Sequence, residues 1–345
     1  VLSIAREIVK RDPKIQLLYV GSLKDSDRQL VTAAGIKFIG LPAGKWRRYF
    51  DLRNLFDVVV TLVGFLMALG VVIFFWPNRV LVRGGYVGVP VGLAAWLLGR
   101  RLILHESDAV MGVANRILAP LASRICVSFP LEAYEGSKKV INKLMFTGVP
   151  INEEFYNKTI GQIDLPLNDK KPVVLVTGGS QGAHAINQLV QNSLPQLLNE
   201  YQVVHQTGVA DYAGAQSWKA STDQAKDYHP IDSLLNTQMA SLMKRSAVII
   251  SRAGATAAFE IAATGRPAIL IPLPGSANNH QYANAKYLSD KGAAVLLPQS
   301  EATPTVLAER VERVVRSDMG KRLAFNIREL ANPEAALAIA EEILK

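Results

Sequence analysis

The sequence predicts an α/β protein built as two doubly wound domains with a cleft between them. Three observations carry that prediction. Short apolar, β-branched runs alternate with helical patterns along the chain, and such alternation implies parallel sheets covered by helices on both faces. The runs fall into two series separated by residues 152–172, a polar stretch with Pro166, Asn168, Asp169, Lys170, Lys171 and Pro172, which is linker composition. The chain has 345 residues, room for two domains at roughly 100–200 residues each.

Strands are expected over 16–20, 37–39, 80–82, 102–105, 125–127 and 145–147 in the first series. The second series is 173–177, 203–206, 248–251, 268–271 and 294–297. The resulting organisation is a first domain over 1–152, a linker over 153–172, a second domain over 173–332 and a C-terminal helix over 333–345. No short-period repeat interrupts it. Hydrophobic residues at 49% and charged residues at 19% describe a globular chain and exclude disorder. A net charge of +9 suits phosphates, an anionic membrane face or nucleic acid. The single cysteine, Cys126, excludes an internal disulfide and fits a reducing compartment.

The first residues, Val1 to Lys10, read as an amphipathic helix with a basic end, not as a signal peptide. An α/β chain normally opens on a strand. Either this domain opens on a helix, or the chain lacks its first strand; the second is the sharper expectation. Residues 58–76 form an uncharged run of 19 residues, above the threshold of about 18 for a membrane span. The strands expected on either side belong to one sheet and cannot lie across a bilayer from each other. Just upstream stand Lys45, Trp46, Arg47, Arg48, Tyr49, Phe50 and Arg53, and basic residues mixed with aromatics suit an anionic interface. The expectation is a helix that packs on the sheet and dips into the membrane surface, with Trp46, Arg47, Arg48 and Phe50 as contacts. A wholly buried core helix is the alternative.

Three segments of the second half could bind a nucleotide-sugar. Strand 173–177 is followed by Gly178, Gly179, Ser180, Gln181, Gly182 and Ala183, then a long helix. A glycine loop opening a helix brings backbone N–H groups and the helix dipole to an anion, and Ser180 can donate to a phosphate oxygen; many such turns are glycine-rich for geometry alone. Strand 248–251 leads into Arg252, Ala253, Gly254, Ala255, Thr256, Ala257, Ala258, Phe259 and Glu260. Small residues leave that helix N-terminus open to a diphosphate. Glu260, a turn further in, can accept from two ribose hydroxyls or simply face solvent. Asn278, Asn279, His280 and Gln281 offer amides and an imidazole to sugar hydroxyls, or an ordinary helix cap.

The first half offers Arg83, Gly84, Gly85, Tyr86 and Val87 after one strand, and His105, Glu106, Ser107 and Asp108 after another. Polar residues at strand C-termini face the ligand crevice of open α/β sheets. Asp25 and Asp27 fall where a helix begins and read as capping residues, not as metal ligands; no Cys/His cluster suggests zinc.

Taken together, the ordered motifs resemble the MurG family, glycosyltransferases of the GT-B type with two Rossmann-like domains. The resemblance runs along nearly the whole chain. It is carried by Gly84-Gly85-Tyr86-Val87 through Trp96, by Leu104-His105-Glu106, by the 178–183 loop, by 252–260 and by His280-Gln281-Tyr282. It implies an inverting transfer of N-acetylglucosamine from UDP-N-acetylglucosamine to the muramyl 4-hydroxyl of an undecaprenyl-linked muramyl-pentapeptide, in peptidoglycan synthesis. The site would be the cytoplasmic face of the cell membrane, with peripheral attachment, no metal cofactor and no nucleic-acid partner. The resemblance further implies that Ser180 contacts the diphosphate and that Ala255, Thr256, Ala257, Ala258, Phe259 and Glu260 hold phosphate and ribose. Gln281 would meet the N-acetylglucosamine, and a backbone group near Asn236 the uracil. Asp108 falls where the family usually has Asn, Ser107 where it has Gln, and Asn152 where some members have Arg near the phosphate; Asp108 and Asn152 are carried as donor-site residues on that basis. The family opens with a strand and a Gly-Gly-Thr-Gly-Gly-His loop whose His is thought to act as base, and Val1 aligns just past it. With that loop absent, Glu106 and His105 become the base candidates. Two alternatives stay open: a GT-B enzyme with a different lipid acceptor, and an inactive chain that binds the UDP-sugar only.

Overall fold

The computed structural model describes residues 1–44, 53–134, 136, 138–157, 159, 161, 163, 165–179, 182–221 and 223–345. The chain divides into two compact units, Val1–Pro150 with Glu334–Lys345, and Ile151–Pro333.

Unit 1 runs α1 (Leu2–Arg11), β1 (Leu18–Gly21), α2 (Asp25–Ala33), β2 (Lys37–Gly40), α3 (Arg53–Phe75), β3 (Arg79–Val82), α4 (Gly88–Leu97), β4 (Arg101–Glu106), α5 (Val113–Leu118), β5 (Arg124–Val127), α6 (Lys138–Ile141) and β6 (Leu144–Phe146). Every strand pair is parallel, as the βαβ alternation requires. The unit does not form one sheet: β1 pairs only with β2, while β3, β4, β5 and β6 form a separate four-stranded sheet in that order. β1 and β3 do not pair with each other, and among the described residues no strand bridges the two sheets.

Unit 2 runs α7 (Glu153–Tyr156), β7 (Val173–Thr177), α8 (His184–Leu197), β8 (Gln202–Gln206), α9 (Val209–Ala220), β9 (Tyr228–Ile231), α10 (Asn236–Arg245), β10 (Val248–Ser251), α11 (Ala255–Thr264), β11 (Ala268–Leu270), α12 (His280–Asp290), β12 (Val295–Leu296), α13 (Pro304–Arg316) and α14 (Asp318–Glu329). Its six strands form one parallel sheet in the order β12-β11-β10-β7-β8-β9. Strands β7, β8 and β10 are buried throughout, as strands covered on both faces must be. The core packs Val174, Val176, Val203, Val248 and Ile250 against Ile186, Val190 and Leu194 of α8 and Leu307 and Val311 of α13.

The sequence pattern misses β9. Its residues, Tyr-His-Pro-Ile, carry Pro230 in the strand, and proline removes a ladder donor. The position is nonetheless allowed because β9 is the sheet's edge. The segment read as a linker, 153–172, lies along unit 2. Lys244 Nζ donates to the Glu154 carbonyl at 2.6 Å, Gly161 N–H donates to Ser241 Oγ at 2.9 Å, and Lys171 pairs with Asp227 at 2.6 Å. The chain passes between units at Pro150, two residues before the boundary expected from composition. The last helix, α15 (Ala335–Leu344), returns to unit 1: Ile339 and Ala340 join the cluster of Ile4, Ile8, Ile103 and Cys126. Glu342 pairs there with Arg101 at 2.8 Å.

Helix α3 buries one face and exposes the other. Ala68 and Val72 pack with Leu41, Val87 and Ala94, and Gly64 sits so close to the chain at Pro42 that an added Cβ would lie 2.1 Å from its carbonyl oxygen. Val59, Leu62, Val63, Leu66, Met67, Ile73 and Phe74 are exposed. Their spacing of three and four residues is one helical face. The wholly buried alternative is therefore excluded. No helix among the described residues is long and apolar enough to cross a membrane.

Candidate functional site

In unit 2 the chain lays β8 and β9 to one side of β7, then crosses to place β10, β11 and β12 on the other. The crevice between the C-terminal ends of β7 and β10 is therefore a topological switch point, the place where open α/β sheets bind ligands. Both strands leave it through glycine turns into helices. After β7, Gly179 and Gly182 have positive φ of 85° and 74°, a backbone that only glycine takes without strain. A Cβ on Gly182 would also stand 2.2 Å from the Thr207 carbonyl oxygen. Thr177 Oγ1 fixes the turn by donating to Gln206 Oε1 at 2.7 Å and accepting from Gly179 N–H at 3.1 Å. Gly178 and Gly182 thus frame the loop as expected from the sequence; Ser180 and Gln181 lie outside the described residues.

After β10, Gly254 is the N-cap of α11, with no capping side chain and no acidic residue in the first turn. Open space surrounds the place where its Cβ would be. A helix start left without such partners presents its N–H groups and positive dipole end to an anion. Ala255, Ala258 and Phe259 are buried and hold the helix against the sheet, while Thr256 is exposed and Ala257 half-buried. Glu260 is half-buried on the next turn, and no donor among the described residues bonds its carboxylate. Burial raises its pKa to about 7, because water no longer stabilises the charge and nothing replaces it.

The neighbouring loop is tied to this one. Asn284, fully buried on α12, donates to the Ala253 carbonyl at 3.0 Å. Arg252 Nη1 reaches the Ile271 and Pro272 carbonyls at 3.2 and 3.3 Å and Gln299 Oε1 at 2.9 Å. Gln281 stands in the first turn of α12 and accepts from Leu273 N–H at 2.9 Å through Oε1; Asn278 and Asn279 before it take φ of 54°, the left-handed turn that Asn tolerates. The 178–182, 252–260 and 272–281 segments follow adjacent strands β7, β10 and β11 and so share one end of the sheet. Asn236 is exposed at the start of α10, and Asn152 is half-buried as the N-cap of α7.

Unit 1 places the two base candidates in a closed network. Arg83 Nε donates to His105 Nδ1 at 3.2 Å, and Arg83 Nη2 donates to Ser107 Oγ at 2.9 Å. The ring proton therefore belongs on Nε2, facing Ser128 Oγ at 3.2 Å and the Gly148 carbonyl at 3.4 Å. Burial first, then the Arg83 charge, holds the His105 pKa well below its usual value. Glu106 Oε1 accepts from Asp108 N–H at 3.0 Å, and Oε2 accepts from Gly112 N–H and Asn115 Nδ2, both at 2.8 Å. Burial raises its pKa and these donors oppose the rise. His105 is thus bonded on both ring nitrogens, and three donors hold the Glu106 carboxylate, so both side chains are tied into the turn after β4. Asp108 is half-buried, with its carbonyl accepting from Tyr134 Oη at 2.9 Å. Asp25 and Asp27 stand in the first turn of α2.

Family models match both halves of the chain: the glycosyltransferase family 28 N-terminal domain over residues 1–127 and its C-terminal domain over 173–339. A UDP-N-acetylglucosamine--N-acetylmuramyl-(pentapeptide) pyrophosphoryl-undecaprenol N-acetylglucosamine transferase from Treponema denticola is 32% identical over 97% of this chain and 91% of its own length. The same-named protein of Legionella pneumophila is 34% identical over 86% of this chain and 80% of its own length. This chain belongs to the MurG family. It is a glycosyltransferase. The crystal structure of Acinetobacter baumannii MurG superposes with a TM-score of 0.73 at 26% identity, covering 99% of this chain and 94% of that one. A calicheamicin glycosyltransferase, 14% identical with a TM-score of 0.69 over 99% of this chain and 93% of its own, shares the fold.

Sequence reasoning missed Asn284 and Asn115 as positioning groups, and marked Arg83 only as a polar residue at a strand end. Their signal was present: each Asn is an amide at an inward position of a helix that follows a glycine or asparagine loop. Also missed was the spread of the apolar surface. Trp96 and Leu97 of α4 and Val113 and Ile117 of α5 are exposed, on helices that adjoin α3 in turn. Trp76, the residue after α3, has the Arg100 guanidinium 4.4 Å from its ring, an aromatic–cation pair of the sort found at membrane interfaces. Trp46, Arg47, Arg48 and Phe50 lie outside the described residues.

Proposed function

We propose that this MurG-family chain transfers N-acetylglucosamine from UDP-N-acetylglucosamine to the muramyl 4-hydroxyl of an undecaprenyl-pyrophosphoryl muramyl-pentapeptide, inverting the anomeric carbon. The observation that carries the reading is the switch-point crevice of unit 2, where two glycine-opened helix starts flank one gap and an unpaired carboxylate stands a turn inside. The diphosphate lies against the N–H groups of the 178–183 loop and the start of α11. As the bond to the sugar breaks, negative charge grows on that diphosphate, and preorganised N–H dipoles stabilise it most where charge develops. In this reading no metal cofactor is needed. Glu260 accepts from the ribose hydroxyls, Gln281 contacts the sugar, and the α10 start near Asn236 meets the uracil. Asp108 and Asn152 remain proposed donor-site residues.

The acceptor's proton must pass to a base. We assign Glu106 and His105 instead to holding the loop over 107–112. The exposed faces of α3, α4 and α5, in a chain with net charge +9, suit peripheral attachment to an anionic membrane surface; the cytoplasmic face is the one that presents UDP-sugars. The test is turnover of UDP-N-acetylglucosamine with the lipid-linked muramyl-pentapeptide in EDTA, beside a lipid acceptor lacking the muramyl sugar. Transfer to the muramyl acceptor alone is expected. Transfer to the other lipid, or loss of transfer in EDTA, overturns the acceptor or the metal-free reading respectively; donor binding without transfer to either makes the chain a UDP-sugar binder.

A further inference from the structure

On the side of β7 away from the crevice, unit 2 buries a run of polar side chains. His205 and Gln206 end β8, Thr207 follows them, and Asn187 stands among the core-facing residues of α8 with Ile186 and Val190. All four are buried. A buried amide or imidazole is costly unless it is bonded, and here the bonds can be arranged in only one way.

Asn187 Nδ2 donates to the Thr207 carbonyl at 2.8 Å and to Asp211 Oδ2 at 2.7 Å, while Oδ1 meets His205 Nε2 at 3.0 Å. Tyr228 Oη lies 3.1 Å from His205 Nδ1. Burial lowers the His205 pKa to about 4, with the Asp211 charge opposing, so the ring is neutral and carries one proton. An amide oxygen can only accept. The proton therefore sits on Nε2, and the Tyr228 hydroxyl donates to Nδ1. Turning the amide over would set its oxygen against the Thr207 carbonyl and the Asp211 carboxylate, both acceptors. Tyr228 and His205 thus fix which way Asn187 faces, and Asn187 fixes the Thr207 carbonyl.

The glycine loop rests against that carbonyl: a Cβ on Gly182 would stand 2.2 Å from its oxygen. The residue before Thr207 holds the loop's other end. Gln206 Oε1 accepts from Thr177 Oγ1 at 2.7 Å, and Thr177 Oγ1 accepts from Gly179 N–H at 3.1 Å. The two ends meet where Gly182 N–H donates to the Gly179 carbonyl at 3.0 Å. Consecutive residues at the end of β8 therefore hold both ends of the loop from behind.

We propose that Asn187 and Gln206 are positioning residues for the donor: without touching it, they keep the turn from Gly179 to Gly182 in the form that receives the diphosphate. Donors fixed in advance bind an anion without first being ordered. The inference rests on the reading that the 178–183 loop seats the diphosphate. Its effect should follow the phosphates alone, because base and ribose are assigned to the α10 start and to Glu260. General support of the fold would not make that distinction.

The test compares UDP with uridine, which has the base and ribose but no phosphate. Both are titrated into the 345-residue chain at pH 8, UDP by calorimetry and uridine by ligand-detected NMR. Asn187→Leu, close in size but without donors, should weaken UDP about tenfold or more and uridine less than about twofold. Asn187→Ala replaces it if the leucine variant does not fold. Thr177→Val keeps the side chain's shape, removes the link from Gln206 to Gly179, and should give the same pattern from the loop's other end. Equal losses for UDP and uridine make these residues general supports and overturn the proposal, as does unchanged UDP affinity in either folded variant. A wild type that binds UDP no better than uridine overturns instead the diphosphate reading beneath it, and the proposal falls with it.

Discussion

Glu260 ties donor binding to pH. Its carboxyl has a pKa of about 7 because it is buried without a donor. Ribose hydroxyls are donors, so the nucleotide binds the ionised form better and the proton is released on binding. A group with that pKa is roughly nine-tenths ionised at pH 8 and one-tenth at pH 6. The apparent Kd for UDP-N-acetylglucosamine should therefore rise about tenfold from pH 8 to pH 6. The sugar nucleotide suits the assay better than UDP, because its phosphates do not titrate in this range. Calorimetry at pH 6, 7 and 8 in buffers of different ionisation enthalpy measures both the affinity and the proton released. Glu260→Gln should bind about tenfold more weakly than wild type at pH 8 and show no slope. Stability runs the opposite way. The folded pKa lies above the usual 4.5, so the native state binds more protons between those values and ligand-free stability falls as pH rises through that window. Glu260→Gln should accordingly raise the ligand-free Tm at pH 8 and leave it unchanged at pH 4. A flat wild-type affinity profile, or a slope that persists in Glu260→Gln, refutes the ribose role.

Three further outcomes test the other parts. Gly182→Ala forces a side chain to within 2.2 Å of the Thr207 carbonyl at positive φ and should cost more than about 2 kcal/mol by thermal denaturation, with loss of donor binding. Glu106→Gln puts an amide nitrogen among three N–H donors and should destabilise the protein by about 1–3 kcal/mol; an unchanged Tm with collapsed turnover would restore Glu106 as the base. Phe74 is 92% exposed, so Phe74→Glu should alter stability by less than about 0.5 kcal/mol yet weaken flotation with phosphatidylglycerol vesicles several-fold, and undiminished flotation would detach α3 from the membrane reading.

Most elements were legible because each has a one-dimensional signal. β7 and β10 are uninterrupted β-branched runs between glycine turns, and their boundaries in the sequence pattern coincide with the strands. β9 was not legible, because Pro230 is acceptable only at an edge, and edge position is a property of the whole sheet. The glycine loops could be marked but not weighed: Gly182 looks like any turn glycine until the Thr207 carbonyl is found against it. Likewise His105 and Glu106 have the right chemistry at the right end of a strand. Their partners are visible only in three dimensions, where Arg83 donates to His105, and Asn115 and two backbone N–H groups donate to Glu106.

That contrast separates the two units physically. In unit 1 the polar side chains at the end of β4 bond to one another: Arg83 to His105 and Ser107, Ser128 to His105, Asn115 to Glu106. Their free energy is already committed to holding a loop, so removing any one should cost stability before it costs binding. At the switch point of unit 2 the supporting groups are committed in the same way, with Thr177, Arg252 and Asn284 bonded to protein partners. The start of α11 and the Glu260 carboxylate are not. A half-buried carboxylate with a raised pKa is destabilising in the empty protein, and it is held there by a helix anchored through the buried Ala255, Ala258, Phe259, Ile261 and Ala262. Such a group becomes favourable only when donors arrive from outside. Two hydroxyls beside an anion seated on a helix start would supply that combination, and a nucleoside diphosphate carries both.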